Sequence, residues 1–295
     1  MTTEEFGRKH IDRLKKLPLK SDICFRASVK LCSPEEKNMY MALIADAVCD
    51  RQTGPIHHVE SQKDLKTVSG AKSIMPDLFG YDGKDESWSV EMQNDVIEDG
   101  RLDVSRSHIV LDRMPQGKKY SFLKKGHMIV LTDATSLPGM EGPLFLPGKP
   151  VVNIQAVDSF TGRIIPEKME IRLFNLRYEG PEAAGDLAHD LRQSDPQKIR
   201  NGFLRRLMKR MKNTEKGEKA MCEVSREIFG EGVQIGRKEG RMEGRKEGRM
   251  EGRKEGQMKS AQGLLQMGLL TLQQIAQATS LSLSEVQKLQ SELKA

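Results

Sequence analysis

Glycine recurs at every fourth position from 232 to 256, in a pattern close to R-[KM]-E-G. Each of these glycines costs a helix roughly 1 kcal/mol relative to alanine, so an isolated helix here is marginal. Between the glycines, Glu and Arg/Lys alternate in sign, which is expected to supply i,i+4 pairs. The segment 231–257 therefore reads as a charged, metastable helix or linker. Its glycine stripe would let two helices approach, so a homo-oligomer formed through the repeat is an expectation. Of the 295 residues, those before the repeat suffice for one sizeable core with appendages.

Upstream, helix and strand signals alternate. A helix is expected over 34–50, with Ser33 as N-cap, Pro34 in the first turn, and Glu35 and Glu36 near the positive end of the dipole. Met39, Leu43 and Ala47, and also Met41, Ile44 and Val48, recur at helical spacing. Gly54-Pro55 breaks the chain. Three strand-like runs follow, at 56–61, 73–82 and 87–93, the last two joined by a turn containing Asp82-Gly83. A helix over 101–114 and a buried apolar strand at 127–132 come next, and 150–178 adds two or three more strands. This order predicts an α/β domain with a mixed sheet flanked by helices.

After Gly180 the chain turns helical and basic. The stretch 196–212 holds seven Lys/Arg and no acid. Ile199, Phe203, Leu204, Leu207, Met208 and Met211 make one apolar face, and Arg200, Arg205, Arg206, Lys209, Arg210 and Lys212 fill the rest. Such a helix either follows a DNA backbone or turns an ordinary charged face to water. Thr271 with Gln274, and Ser282 with Glu285, are candidate capping boxes in the last segment. The expected organisation is a basic arm 1–20, an α/β core 21–180, a basic helical extension 181–230, the repeat 231–257 and a small helix-turn-helix-like module 258–295.

Asp77, Glu91 and Gln93 are the candidates for chemistry. Glu91 and Gln93 lie two apart on one strand and share a face. If the neighbouring strand pairs with it, Asp77 comes close to Glu91. Two carboxylates brought together repel, and a divalent cation resolves the conflict. Hard oxygen ligands suit Mg²⁺, which keeps several waters. Such an ion lowers the pKa of a bound water and stabilises phosphate charge. Gln93 would orient the water or contact the phosphate, but brings no positive charge. On spacing alone, the three residues read more readily as solvent-facing polar positions.

The string PDLFGYDGKDESWSVEMQNDVIEDGRLDVSRS, residues 76–107, resembles the PD-(D/E)XK core of the bacterial Rpn family of recombination-promoting nucleases, whose members also carry a transposase label. In that family an aspartate strand, a hairpin and an I-E-[MI]-Q strand precede an arginine-bearing helix and a G-x-x-Y-x-x-L segment. The matching residues here are Asp77, Val90-Glu91-Met92-Gln93, Arg106, and Gly117 through Tyr120 to Leu123. The upstream SDICFRA is similar to the family's N-D-x-x-F-[KR] motif and points to Asp22 as an auxiliary acid, against the plainer role of a helix N-cap. Glycine-every-four tails followed by a segment like QMGLLTLQQIAQATSLSLSEVQKL are also a family trait.

The resemblance implies a PD-(D/E)XK restriction-endonuclease-like core with a helical C-terminal extension. Asp77 and Glu91 would ligate Mg²⁺, or another divalent cation such as Mn²⁺, joined by the Met92 carbonyl. Gln93 stands where the wider superfamily has lysine, a departure usual in this family. Arg106 would clamp a phosphate, unless it is a surface arginine paired with Asp103 or Asp99. The implied activity is hydrolysis of DNA phosphodiester bonds, tied to recombination or mobile elements. The rival is a catalytically weak or inactive DNA-binding or interaction protein that retains the fold.

Composition bounds these readings. The formal charge of +6 permits a polyanionic partner. Aromatics at 5% argue against base stacking on single strands. No apolar run reaches the roughly 18–20 residues of a membrane span. MTTEEFGRKH has no apolar stretch behind it, and Cys24, Cys32, Cys49 and Cys222 lack CxxC spacing. A cytoplasmic chain with reduced thiols is expected.

Overall fold

The computed structural model describes residues 10–50, 52–65, 74–94, 96–114 and 116–294. The first half of the expected basic arm and the start of the 73–82 run lie outside them. The chain divides into two compact units, Met1–Glu227 and Ile228–Ala295.

The first unit is a mixed α/β layer structure. Six strands make one sheet in the order β1-β2-β3-β4-β6-β5. They are β1 (Ile56–Glu60), β2 (Leu78–Asp82), β3 (Ser87–Gln93), β4 (Gly126–Thr132), β5 (Val151–Ile154) and β6 (Met169–Asn175). β2 and β3 form an antiparallel hairpin. β3, β4 and β6 run parallel, while β1 and β5 are antiparallel edges. A parallel pair needs a crossover, and α3 (Arg101–Asp112) supplies it between β3 and β4. As the apolar run at 127–132 predicts, β4 is buried along its whole length.

Successive strand residues face opposite sides of the sheet. On one face Phe79, Met128, Val130, Ile171 and Leu173 pack with Ile109 of α3. The other is covered by α1 (Asp22–Leu31) and α2 (Pro34–Cys49). Gly80 lets α2 and β1 come close there: a Cβ on it would meet Val59 Cγ2 at 2.6 Å. The predicted cap of α2 forms in full, with Ser33 and Glu36 in a reciprocal capping box. Trp88 is buried at 2% exposure.

The basic extension packs into this same unit through α4 (Ala183–Arg192) and α5 (Gly202–Asn213). Ile199, Leu204, Leu207, Met208 and Met211 are buried, as the periodicity predicts. Four of the seven cations of 196–212 have partners within the protein. Arg210 makes a two-pronged bond to Glu36, at 3.0 and 2.9 Å. Arg200 pairs with Asp186 at 2.6 Å, and Arg205 Nε donates to the Ile199 carbonyl at 2.8 Å. Lys212 is buried, and its ammonium donates to the carbonyls of Lys15 (2.5 Å), Leu17 (2.8 Å) and Ser194 (2.5 Å). That one side chain ties the segment leading into α1 to the end of α4.

The second unit contains most of α6 (Glu215–Met267), then α7 (Leu272–Thr279) and α8 (Leu283–Lys294). Ala261, Ile275, Leu281, Val286 and Leu289 form its core. Both predicted capping boxes are present, Thr271 with Gln274 and Ser282 with Glu285. The glycine repeat is helical, but the expected i,i+4 support is not what holds it. A four-residue period puts Arg one turn above Arg and Glu above Glu, which is repulsive. Among the described residues the i,i+4 ion pair is Glu255–Lys259 at 2.7 Å, where the period ends. No described helix is long and apolar enough to cross a membrane. None of the four cysteines is in a disulfide among the described residues.

Lys212→Met leaves three carbonyls without their charged donor. It is expected to lower stability by about 2–3 kcal/mol in urea unfolding, the scale of buried hydrogen bonds to a charge.

Candidate functional site

The β2–β3 register pairs Phe79 with Ser89 and Leu78 with Val90. Carried one residue further, it sets Asp77 opposite Glu91. Directly opposed residues share a face of the sheet, with Cβ atoms roughly 5 Å apart. Asp77 lies just ahead of β2, where the ladder has ended. Its Oδ2 accepts the Met92 N–H at 2.9 Å and its Oδ1 accepts Gln62 Nε2 at 2.8 Å. Glu91 is buried at 5% exposure. Its Oε2 lies 3.5 Å from the Arg101 guanidinium. Its Oε1 is buried with no hydrogen-bond partner among the described residues.

Both carboxyls are held where charge is unfavourable. Burial pushes the Asp77 carboxyl up to about 7. The Met92 N–H opposes this, the Glu91 charge adds to it, and Arg26 and Asp22 of α1 contribute with opposite signs. Burial also raises Glu91, against the pull of Arg101 and a hydrogen bond with Ser105.

Asp22 and Gln93 lie with Asn94 near the carboxyl end of β3, the end of an open α/β sheet where ligands bind, and Arg106 does not join them. Asp22 is the first residue of α1, and the N-cap role belongs to Ser21, which accepts the Cys24 N–H at 3.2 Å. Asp22 accepts Asn94 Nδ2 at 3.1 Å, and the same amide donates to the Lys20 carbonyl at 2.9 Å. Lys20 in turn makes an ion pair with Asp133, directly after β4. The Gln93 amide is turned onto its own loop, donating to the carbonyls of Asn94 (3.4 Å) and Val96 (3.3 Å). Arg106 is paired with Glu167 at 2.9 Å and Asp103 at 3.2 Å, and so is held on another side of α3.

Among the described residues, no three His, Cys, Asp or Glu side chains are grouped to hold a metal ion. The donor set at Asp77 and Glu91 is two carboxylates and a backbone carbonyl. A strand residue's N–H and C=O face the same neighbour, so the Met92 carbonyl lies on the Asp77 side with its N–H. Mg²⁺ requires only one or two carboxylates, with water completing its shell. Glu91 Oε1 is a buried acceptor without a hydrogen-bond partner among the described residues. These residues fit a hard divalent cation.

Gln62, Asn94, Arg101 and Ser105 were not singled out by the sequence. Arg101 and Ser105 carried a usable signal: they lie one turn apart and share a helix face, whereas Arg106 is turned about 100° from Ser105. Gln62 carried none, since it reaches Asp77 through a turn in which its own N–H bonds the Pro76 carbonyl at 3.1 Å. No protein-family model matches the chain, and no curated protein or solved structure matches it.

A carboxyl with a raised pKa binds its proton more tightly folded than unfolded. Metal-free protein therefore loses stability as pH rises from the ordinary 3.8 towards about 7. Asp77→Asn removes this loss. The melting temperature of the variant minus that of the wild type should grow across this window and level off above it. A constant difference would show that Asp77 is not the strained group.

Proposed function

We propose that the chain is a metal-dependent DNA endonuclease of the PD-(D/E)XK kind, acting in the cytoplasm in recombination or mobile-element movement. The family resemblance of residues 76–107 and of the C-terminal tail suggests this reading. One observation carries it: the buried Glu91 carboxylate, one of whose oxygens has no hydrogen-bond partner among the described residues, is set by the strand register opposite an Asp77 carboxyl pushed up to about 7. A sheet does not keep two such acids together without cost, and a cation between them offsets that cost.

Asp77, Glu91 and the Met92 carbonyl would hold Mg²⁺ or Mn²⁺. When bound, the ion supplies positive charge to the scissile phosphate and lowers the pKa of a water. The chain's own residues do the rest. Gln62 and the Met92 N–H fix the Asp77 carboxylate in one orientation. Arg101, partly exposed beside Glu91, presents its guanidinium to an incoming phosphate. Asp22 and Asn94 line the α1 side, with Asp22 as the auxiliary acid. Gln93 positions the loop after β3 and adds no charge. Arg106 serves as a phosphate clamp only if it leaves Glu167 and Asp103. A second copy of the chain, met along the glycine stripe, belongs to the same proposal.

Gln93 bonded to its own loop, and Arg101 already beside Glu91, favour the rival of a weakly catalytic DNA-binding relative. Plasmid nicking with Mg²⁺ separates the two. Asp77→Ala and Glu91→Ala should each lose about a hundredfold or more in rate, since metal assistance is worth several kcal/mol. Equal nicking by wild type and both variants would sink the nuclease. DNA binding without nicking by the wild type would establish the rival.

A further inference from the structure

The loop before β4 runs Gly117-Lys118-Lys119-Tyr120-Ser121-Phe122-Leu123-Lys124-Lys125. It holds four lysines, two aromatics and no acid. Tyr120 is 87% and Phe122 57% exposed, so neither ring contributes much to the core. The loop is nevertheless built. Tyr120–Phe122 is a 3₁₀ turn in which Phe122 N–H bonds the Lys119 carbonyl at 3.0 Å and Leu123 N–H bonds that of Tyr120 at 3.1 Å. The Lys118 ammonium stands 5.4 Å from the Phe122 ring centre. Lys125 pairs with Glu170 at 3.1 Å. Lys118, Lys119 and Lys124 have no carboxylate partner among the described residues.

Exposed rings fixed on a turn and flanked by unpaired cations suit a polyanion that also offers flat apolar faces. Unpaired bases on a phosphate backbone have both properties: rings stack on aromatic side chains and phosphates meet lysines. We infer that 117–125 is a platform for unpaired nucleotides of a DNA strand, with Tyr120 and Phe122 stacking on bases and Lys118, Lys119 and Lys124 on phosphates. This deepens the nuclease reading and rests on it for the identity of the polymer. The platform stands at the Gly126 end of β4, and the Asp77–Glu91 site lies near the Thr132 end. Glu91 pairs with Val130, four residues along β4 from Gly126, roughly 13 Å of strand. The low overall aromatic content argued against stacking, but that average conceals two rings on one turn.

The test uses the full chain carrying Asp77→Asn, without metal and with EDTA, so that binding is read apart from cleavage. The probes are a fluorescein-labelled mixed-sequence single-stranded oligodeoxynucleotide, its duplex, and phosphatidylserine vesicles. Adding Tyr120→Ala and Phe122→Ala should weaken single-strand binding about tenfold or more, and duplex binding less, with the melting temperature unchanged. Replacing Lys118, Lys119 and Lys124 by Gln should reduce the salt slope by about 2, near 0.7 per lost phosphate contact. Unchanged single-strand affinity in these variants, or no binding by the parent, overturns the platform. A loss confined to vesicles overturns it too and assigns the loop to an anionic membrane surface. Nicking by wild type against Asp77→Ala tests the nuclease separately. A chain that nicks but binds unchanged without the two rings loses only the platform, and one that binds through them but never nicks loses only the nuclease.

Discussion

The antiparallel register of β2 and β3 forces two acidic residues onto the same spot. Leu78 against Val90 fixes the hairpin, and a shift of one residue would turn every side chain to the other face. Phe79 packs in the α3-side core, so the shift is closed to the chain. Asp77 and Glu91 are therefore opposed because of apolar residues between and beyond them. The hairpin is held in turn by the parallel pairing of β3 with β4, which the α3 crossover permits. The helix that makes the crossover also brings Arg101 and Ser105 over Glu91. Core packing and the electrostatics of the site are one constraint seen from two sides.

The same sheet decides which charges are available to a partner. In 196–212, a run of cations that reads either as a DNA-binding face or as an ordinary solvated one, four of the seven are bound within the protein by Glu36, Asp186 and backbone carbonyls. Seven Lys/Arg in a row of sequence say nothing about where carboxylates and carbonyls will lie around them. The shorter loop 117–125, with fewer cations, keeps three of them without a carboxylate partner among the described residues and adds exposed rings. Arg106 and Arg101 repeat the lesson on a single helix. Five residues apart, one is bound to Glu167 and Asp103, and the other faces Glu91.

The glycine repeat shows a different limit. Its composition suggests a salt-bridged helix, yet the period works against that. With 3.6 residues per turn, residues four apart are stacked, so a four-residue repeat stacks like on like. The support comes instead from the end of the second unit, where the period breaks and Ala261 joins the small core of α7 and α8.

Local rules were legible in the sequence alone: the α2 cap at Ser33, both C-terminal capping boxes, the buried run of β4 and the apolar face of α5. Each depends on neighbours within a few residues, or on a period that the chain writes out. The pairing of Asp77 with Glu91 was legible only conditionally, since it needed two strands to be adjacent. The partners were decided by tertiary structure alone. Gln62 on Asp77, Arg101 on Glu91, Asn94 on Asp22 and Lys212 on the N-terminal carbonyls all join residues whose separation carries no pattern. A hydrogen bond is set by position in space, and for these side chains only the packed sheet and its helices fix that position.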